Sequence, residues 1–378
     1  MKKIKTATLT FHASHNYGSM LQAYALQQML QKELGVENEI INFRSDAQKK
    51  MYQLASEKKE NWKKRLVNLL LGNHTKALTK KYQKFEKFLN EYLILSKEFN
   101  SEAEVAEYAN QFNYLISGSD QIWNTNCIDF AWPYFLPFAK NNAIAYAPSM
   151  GPNGKDRVSK ENYSQINDCL QQYKAISVRE QGTADVIKSI SNKDVEILID
   201  PTLMINKEIW DNLSGQEPLI KGEYIFMYKP AVNDLICKIS NDISKQTGLP
   251  VIVSNKMSIG NEIRNTFSFN RRMHYKFDIG PIEFLNLLKN AKYVISGSFH
   301  AVVFSIIFNK PFLAVAGKTD NRMSQLLKST DLLEFGVDSK NYMQVFKKLP
   351  EIDFTKSALY IEKEREHSLS FMKKALNL

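Results

Sequence analysis

Apolar and polar positions follow one repeating order along this chain: a short apolar run, a small-residue turn, an amphipathic stretch, then another apolar run. Residues 3–12 (KIKTATLTFH) are rich in β-formers and predict a strand. Beyond them, apolar residues at 20, 21, 24, 26, 29, 30 and 34 keep a helical spacing that Gly35 closes. NEIINF predicts the next strand, and this order makes a parallel βαβ unit. Residues 49–98 are read as helices, with NWKKRLVNLLLGN basic and amphipathic and KYQKFEKFLNEYL presenting Phe85, Phe88, Leu89 and Leu93 on one side. YLISGSDQIW, AIAYAPSMG, AISVRE and EILIDPTLMI each predict a strand that runs into a turn.

The second half repeats the grammar. EYIFMYKP, LPVIVSNK, KYVISGS and KPFLAVAG predict strands; VNDLICKISNDISKQTG, GPIEFLNLLKNA, FHAVVFSIIFN and DNRMSQLLKST predict the helices between and after them. SALYIEKEREHSLSFMKKALNL predicts one long amphipathic C-terminal helix. The predicted architecture is α/β, with two Rossmann-like domains facing a cleft and the C-terminal helix packing back on the N-terminal domain. Residues 1–205 form the first domain, 206–222 a linker, 223–350 the second domain and 351–378 the terminal helix.

Length and composition agree with this reading. At 378 residues the chain exceeds one ordinary core, and 44% apolar with 24% charged residues is a soluble globular profile. The start MKKIKTATLTF lacks a signal-peptide pattern, and no apolar run approaches the length a membrane span needs, so a cytoplasmic protein is expected. Cys127, Cys169 and Cys237 are scattered and read as reduced thiols. Charge changes the picture more. Residues 49–98 carry 13 Lys and Arg against 5 Glu, which supplies most of the +10 net charge. A solvated helical face explains this, and so does attraction to an anion such as phospholipid or a phosphorylated substrate. Nucleic acid is not expected, since no zinc-finger, homeodomain, RRM or KH pattern occurs.

Parallel α/β domains bind ligands beyond the carboxyl ends of their strands. Four turns therefore hold the candidates. In HASHNYGSM, Asn16, Tyr17 and Gly18 precede a helix whose N-terminus favours an anion; ordinary βα loop geometry is the structural alternative. In SGSDQIWN, Ser117, Gly118, Ser119 and Asp120 suit a sugar or phosphate pocket, while the spacing also lets Asp120 cap a helix beginning near Gln121. In SVREQG, Arg179 stands where a guanidinium grips a carboxylate or phosphate with two parallel bonds, or pairs with Glu180. In SGSFHA, Ser298 and His300 open an apolar helix. There the dipole disfavours an imidazolium, which suits a neutral base or a proton-yielding acid; a structural cap is the alternative. No phosphate-cradling GxxxxGK[ST] or GxGxxG pattern is present.

Taken together, NYGSMLQAYALQ, SGSDQIWN, YAPSMG, SVRE, DPT and SGSFHAVVFSIIFNKPF resemble, in order and spacing, the polysaccharide pyruvyl transferase family over roughly residues 5–330. The resemblance implies a GT-B-like fold and transfer of the enolpyruvyl unit of phosphoenolpyruvate to two sugar hydroxyls, giving a pyruvate ketal and phosphate. It places the family's motif histidine on His300 and its motif arginine on Arg179, with Asp120 and Asn16 toward donor or acceptor. Lys318 and Arg322 both stand where a further cation would hold the donor anion. Ala301 departs from the pattern, replacing the family's usual Gly.

The expected partners are phosphoenolpyruvate as donor substrate and a glycan or lipid-linked sugar as acceptor. No metal and no further cofactor is called for. A lipid-linked acceptor gives the basic 49–98 segment a use, peripheral contact with an anionic membrane at its inner face. The competing readings are a GT-B glycosyltransferase using a nucleotide sugar and a non-catalytic glycan-binding protein of the same fold.

Overall fold

The computed structural model describes residues 3–52, 74–152, 158–230, 233–254 and 272–378. The basic stretch 61–73, read above as an amphipathic helix and a membrane contact, lies outside them. The chain divides into two compact units. Unit 1 comprises residues 1–53, 87–205 and 361–378; unit 2 comprises 54–86 and 206–360.

Unit 1 is built on a seven-stranded sheet. Its strands are β1 (Lys5–Leu9), β2 (Glu37–Phe43), β3 (Leu95–Phe99), β4 (Tyr114–Ser117), β5 (Ala143–Ala145), β6 (Tyr173–Val178) and β7 (Glu196–Ile197). Their order is β3-β2-β1-β4-β5-β6-β7, and every recorded pairing is parallel. The order reverses at β1, so the crevice beyond β1 and β4 is the switch point where such sheets take ligands. β4 (YLIS) is largely apolar, and β1 (KTATL) is buried over four of its five residues, threonines included, as expected for strands inside a parallel sheet. The core is aromatic: Trp123 stacks on Phe135 at 5.0 Å, and Phe11 meets Tyr134 edge-on at 5.1 Å. Each fully buried ring of this size contributes about 1.5–3 kcal/mol.

Unit 2 repeats the arrangement with β8 (Ile225–Tyr228), β9 (Val251–Val253), β10 (Met273–Tyr275), β11 (Tyr293–Ser296), β12 (Phe312–Val315) and β13 (Gly336–Val337). The parallel order β10-β9-β8-β11-β12-β13 puts its switch point between β8 and β11. The helix Phe299–Ile307 is apolar all round and wholly buried, and its Phe304 packs edge-on against Trp210 at 4.9 Å. Ala301 is fully buried within that helix, so its methyl group is taken up in packing.

Three features differ from the sequence reading. Residues 49–98 are not all helical: the helix His74–Tyr92 is followed by β3, whose sequence LSKEF is half polar because it lies at a sheet edge. The edge strands β10 and β13 were also not anticipated. Residues 206–222, read as a linker, carry the helix Lys207–Leu213. The terminal helix Thr355–Leu376 begins in unit 2 and ends in unit 1, where Arg365 donates to the Ile205 carbonyl at 2.7 Å and His367 meets Glu196 at 2.9 Å. Among the described residues, no helix is long and apolar enough to cross a membrane.

Candidate functional site

The predicted site residues fall into two sets, one in each unit. In unit 1 they gather around Arg179, at the end of β6. The side chain is 3% exposed, and three carboxylates surround it: Asp200 at 2.8 Å, Glu180 at 3.6 Å and Asp120 at 3.8 Å. Burial works to weaken the guanidinium as a base, but Asp200, Glu180 and Asp120 outweigh it and hold its pKa above the usual arginine value. Each carboxylate is itself anchored. Asp200 accepts from the backbone N–H and hydroxyl of Thr202, Glu180 from the hydroxyls of Ser149 and Thr183, and Asp120 from Ser19 Oγ at 2.5 Å.

This geometry revises the expectation of an anion clamp. A further anion would approach a guanidinium already facing three carboxylates, so the local charge opposes it. Arg179 instead orients Asp120 and Asp200. The second revision concerns Asp120 itself, which caps no helix. Its φ of 74° is left-handed, its backbone bridges to Pro148, and the chain after it continues as turns. That conformation frees the carboxylate to meet Ser19 and Arg179 rather than an N-terminal amide.

The rest of the unit 1 set is framework. Ser117 Oγ donates to the Tyr134 carbonyl and accepts from the Trp123 indole, while Ser119 Oγ donates to the Ala147 carbonyl; both residues are fully buried. Gly118 has φ 140°, and a Cβ there would sit 2.0 Å from the Tyr146 carbonyl oxygen, so only glycine lets the two chains meet. These three were expected to line a pocket; in the structure Ser117 ties the end of β4 to Trp123 and Tyr134, while Gly118 and Ser119 pack against the segment after β5. Asn16 caps the helix Tyr17–Gln28, accepting from the Gly18 N–H at 3.0 Å, and Tyr17 and Gly18 are buried in its first turn.

In unit 2 the set centres on the turn after β11. His300 is 7% exposed and occupies the second position of the helix Phe299–Ile307. The N-cap is Ser298, whose side chain makes no capping bond; its own N–H donates to Ser296 Oγ at 3.1 Å. The helix therefore presents its positive end beside the histidine. Arg322 lies with its guanidinium 6.0 Å from the Phe299 ring centroid, next to His300, and is held in place by two bonds to Asp320. Lys318 is solvent-exposed. Of the two cations the sequence offered, Arg322 is the one positioned against the histidine's turn.

Sequence reasoning missed Lys229, which follows β8 at the switch point of unit 2. Its stem lies along Gly297, so closely that a Cβ there would come within 3.0–3.2 Å of its Cγ, Cδ and Cε. Burial lowers the ammonium's pKa below the ordinary lysine value. In the sequence MYKP it is an unremarkable strand-end lysine. Only the register of β8 against β11, Ser296 beside Tyr228, brings it to the His300 turn. Asp200 was legible within DPT but was given no role.

A UDP-N-acetylglucosamine 2-epimerase structure is similar with a TM-score of 0.58 at 12% identity, covering 100% of this chain and 96% of that one. An S. aureus MnaA co-structure with UDP is similar at TM-score 0.54 and 14% identity, covering 100% and 98%. The UDP-GlcNAc 2-epimerase of Neisseria meningitidis bound to UDP-GlcNAc gives 0.52 and 10%, covering 98% and 100%. At such identities the likeness establishes the fold alone, two parallel-sheet α/β domains of GT-B type. No curated protein matches the chain in sequence. The family model for polysaccharide pyruvyl transferase matches residues 16–319, from the cap of the first helix to the loop after β12. The chain therefore belongs to the polysaccharide pyruvyl transferase family and is a transferase enzyme.

Proposed function

We propose that the protein transfers the enolpyruvyl unit of phosphoenolpyruvate to two hydroxyls of a glycan, forming a pyruvate ketal and releasing phosphate. The observation that carries this is the character of the unit 2 turn. Lys229 lies along Gly297, Arg322 faces the Phe299 ring and the helix N-terminus at Ser298 has no side-chain cap, so cationic and N–H groups flank the turn that carries His300. A donor bearing both carboxylate and phosphate calls for such groups.

His300 gives a proton to the methylene carbon of the donor, which becomes the ketal methyl group. The oxygen of the first sugar hydroxyl bonds to the adjacent carbon and passes its proton to a general base. Phosphate leaves with the electron pair of its C–O bond. The second hydroxyl oxygen then bonds to the same carbon and releases its proton. One diol and one phosphoenolpyruvate thus give one ketal and one phosphate.

Phosphate release from phosphoenolpyruvate across a panel of glycans tests this reading. Release that depends on one acceptor supports it; none with any acceptor overturns it. A second reading, a nucleotide-sugar transferase, draws on the UDP held by the fold neighbours. Thermal stabilisation by UDP-sugars but not by phosphoenolpyruvate would favour that reading.

A further inference from the structure

Unit 1 holds a second group of polar side chains that the reaction above leaves unused. Ser14 follows β1, Gln48 and Tyr52 lie on the helix Asp46–Tyr52 after β2, and Asp129 and Tyr134 belong to the connection after β4. Those three strands are neighbours with β1 in the middle, at the switch point of the sheet. Ser14 Oγ donates to Asp129 Oδ2 at 3.1 Å and accepts from Gln48 Nε2 at 3.0 Å, and the Tyr52 hydroxyl bonds to Ser14 as well. Ser14 and Tyr134 are 1% exposed, Gln48 2% and Asp129 9%.

Two buried polar atoms of this group have no hydrogen-bond partner among the described residues: Gln48 Oε1 and the Tyr134 hydroxyl. Burying such atoms unpaired is costly, so they mark where a ligand completes the bonding. The Tyr134 hydroxyl is close enough to Asp129 and Tyr52 for their charges to raise its pKa, after burial itself. Tyr134 therefore lies beside the cluster that Ser14 ties together. Aromatic rings border it, with Tyr52 tilted against His15 at 5.2 Å and Tyr134 against Phe11.

The chemistry selects the ligand. The five side chains include no cation, and Asp129 with nearby Asp120 opposes an anion. What remains is a set of acceptors, Asp129 and Gln48 Oε1, beside the hydroxyls of Tyr134, Tyr52 and Ser14. Sugar hydroxyls, each both donor and acceptor, match it, and the rings suit the apolar face of a pyranose. We propose that Ser14, Gln48, Tyr52, Asp129 and Tyr134 form a subsite for one pyranose ring of the acceptor glycan. Asp129 and Gln48 accept from its hydroxyls, and Tyr134 donates to one. This rests on the pyruvyl-transfer reading and places the acceptor ring in unit 1.

The test uses the full chain and four probes, the methyl glycosides of galactose, glucose, mannose and N-acetylglucosamine, followed by saturation-transfer NMR and titration. At least one binds the wild type and binds roughly tenfold more weakly to Tyr134→Phe and Asp129→Asn. Neither variant melts below the wild type, both keep the same stabilisation by phosphoenolpyruvate, and Tyr134→Phe loses only a hydroxyl without a hydrogen-bond partner among the described residues. Four glycosides that all fail to bind overturn the subsite, as does equal binding by the variants. A lowered melting temperature in both variants overturns it too, since the two groups then serve packing. Failure of phosphate release in the wild type is a separate result, which removes the reaction and leaves the glycoside titration standing.

Discussion

The two units are the same scaffold carrying opposite charge. Each is a parallel sheet whose strand order reverses beside its first strand, and each gathers its polar residues beyond that reversal. In unit 1 the gathered groups are Asp120, Glu180 and Asp200 around Arg179, with Asp129 close enough to Asp120 to feel its charge. In unit 2 they are Lys229, His300, Lys318 and Arg322, with Asp320 paired to Arg322. Strand order fixes where a site lies; the residues in each turn decide what it attracts. On the proposed reading, the cations of unit 2 would favour an anionic donor, and the polar groups of unit 1 would favour neutral hydroxyls.

The largest expected effect comes from the residue that only unit 2 supplies. His300→Ala should lower acceptor-dependent phosphate release about 10²–10⁴-fold, the usual worth of a positioned acid or base, while the protein still binds phosphoenolpyruvate. Full turnover in His300→Ala would remove the histidine from the chemistry and with it the functional half of the comparison.

Next in size is Arg179, where the two roles predict different measurements. As the hub of a buried ion network, Arg179→Met strands three carboxylates and should cost about 3–5 kcal/mol of stability in urea unfolding. As an exposed clamp for the donor, it would change stability by no more than about 0.5 kcal/mol and mainly raise the KM for phosphoenolpyruvate. We expect the first outcome. The second would restore the anion-clamp reading that the carboxylate cage speaks against.

These residues differ in how far the sequence revealed them, for a physical reason. Central strands such as β4, β8 and β11 are buried on both faces and read as apolar runs, whereas β3, β10 and β13 sit at sheet edges, are short or partly polar, and were passed over. His300 and Arg179 were legible because each sits in a local motif. Their surroundings were not. The three carboxylates around Arg179 come from the ends of β4, β6 and β7, and Lys229 reaches the His300 turn only through the pairing of β8 with β11. No local pattern encodes such meetings. Asp120 shows the opposite case, since its spacing suggested a helix cap and a left-handed φ removed it from that role.

Lys229 sharpens the comparison from the unit 2 side. If the two units divide donor from acceptor, Lys229→Met should raise the KM for phosphoenolpyruvate roughly tenfold, the worth of one charge-assisted hydrogen bond, and leave the acceptor KM unchanged. Steady-state kinetics with each substrate varied separately reads this directly. A rise confined to the acceptor KM would break the division.

The smallest effect lies in unit 1 and is read through pH. Burial first, and the charge of Asp120 after it, hold the Asp129 carboxyl above its ordinary value of 3.8, despite the Ser14 bond. A carboxyl raised in the folded state binds its proton more tightly there than in the unfolded chain. Its favourable contribution is therefore complete below 3.8 and is lost as pH rises through the folded value. At neutral pH the ionised Asp129 is thus a net cost, borne beside Asp120 in a region with little cation to offset it. Asp129→Asn, which keeps the shape and an oxygen for Ser14, should melt at or slightly above the wild-type temperature at neutral pH. The gap should close as the buffer is taken down through the titration of Asp129. A melting curve that behaves oppositely, with Asp129→Asn weaker at neutral pH and equal in acid, would mean that Asp129 is stabilised as the anion. The acidic character assigned to unit 1 would then have a cationic partner, and the contrast between the two strand ends would shrink accordingly.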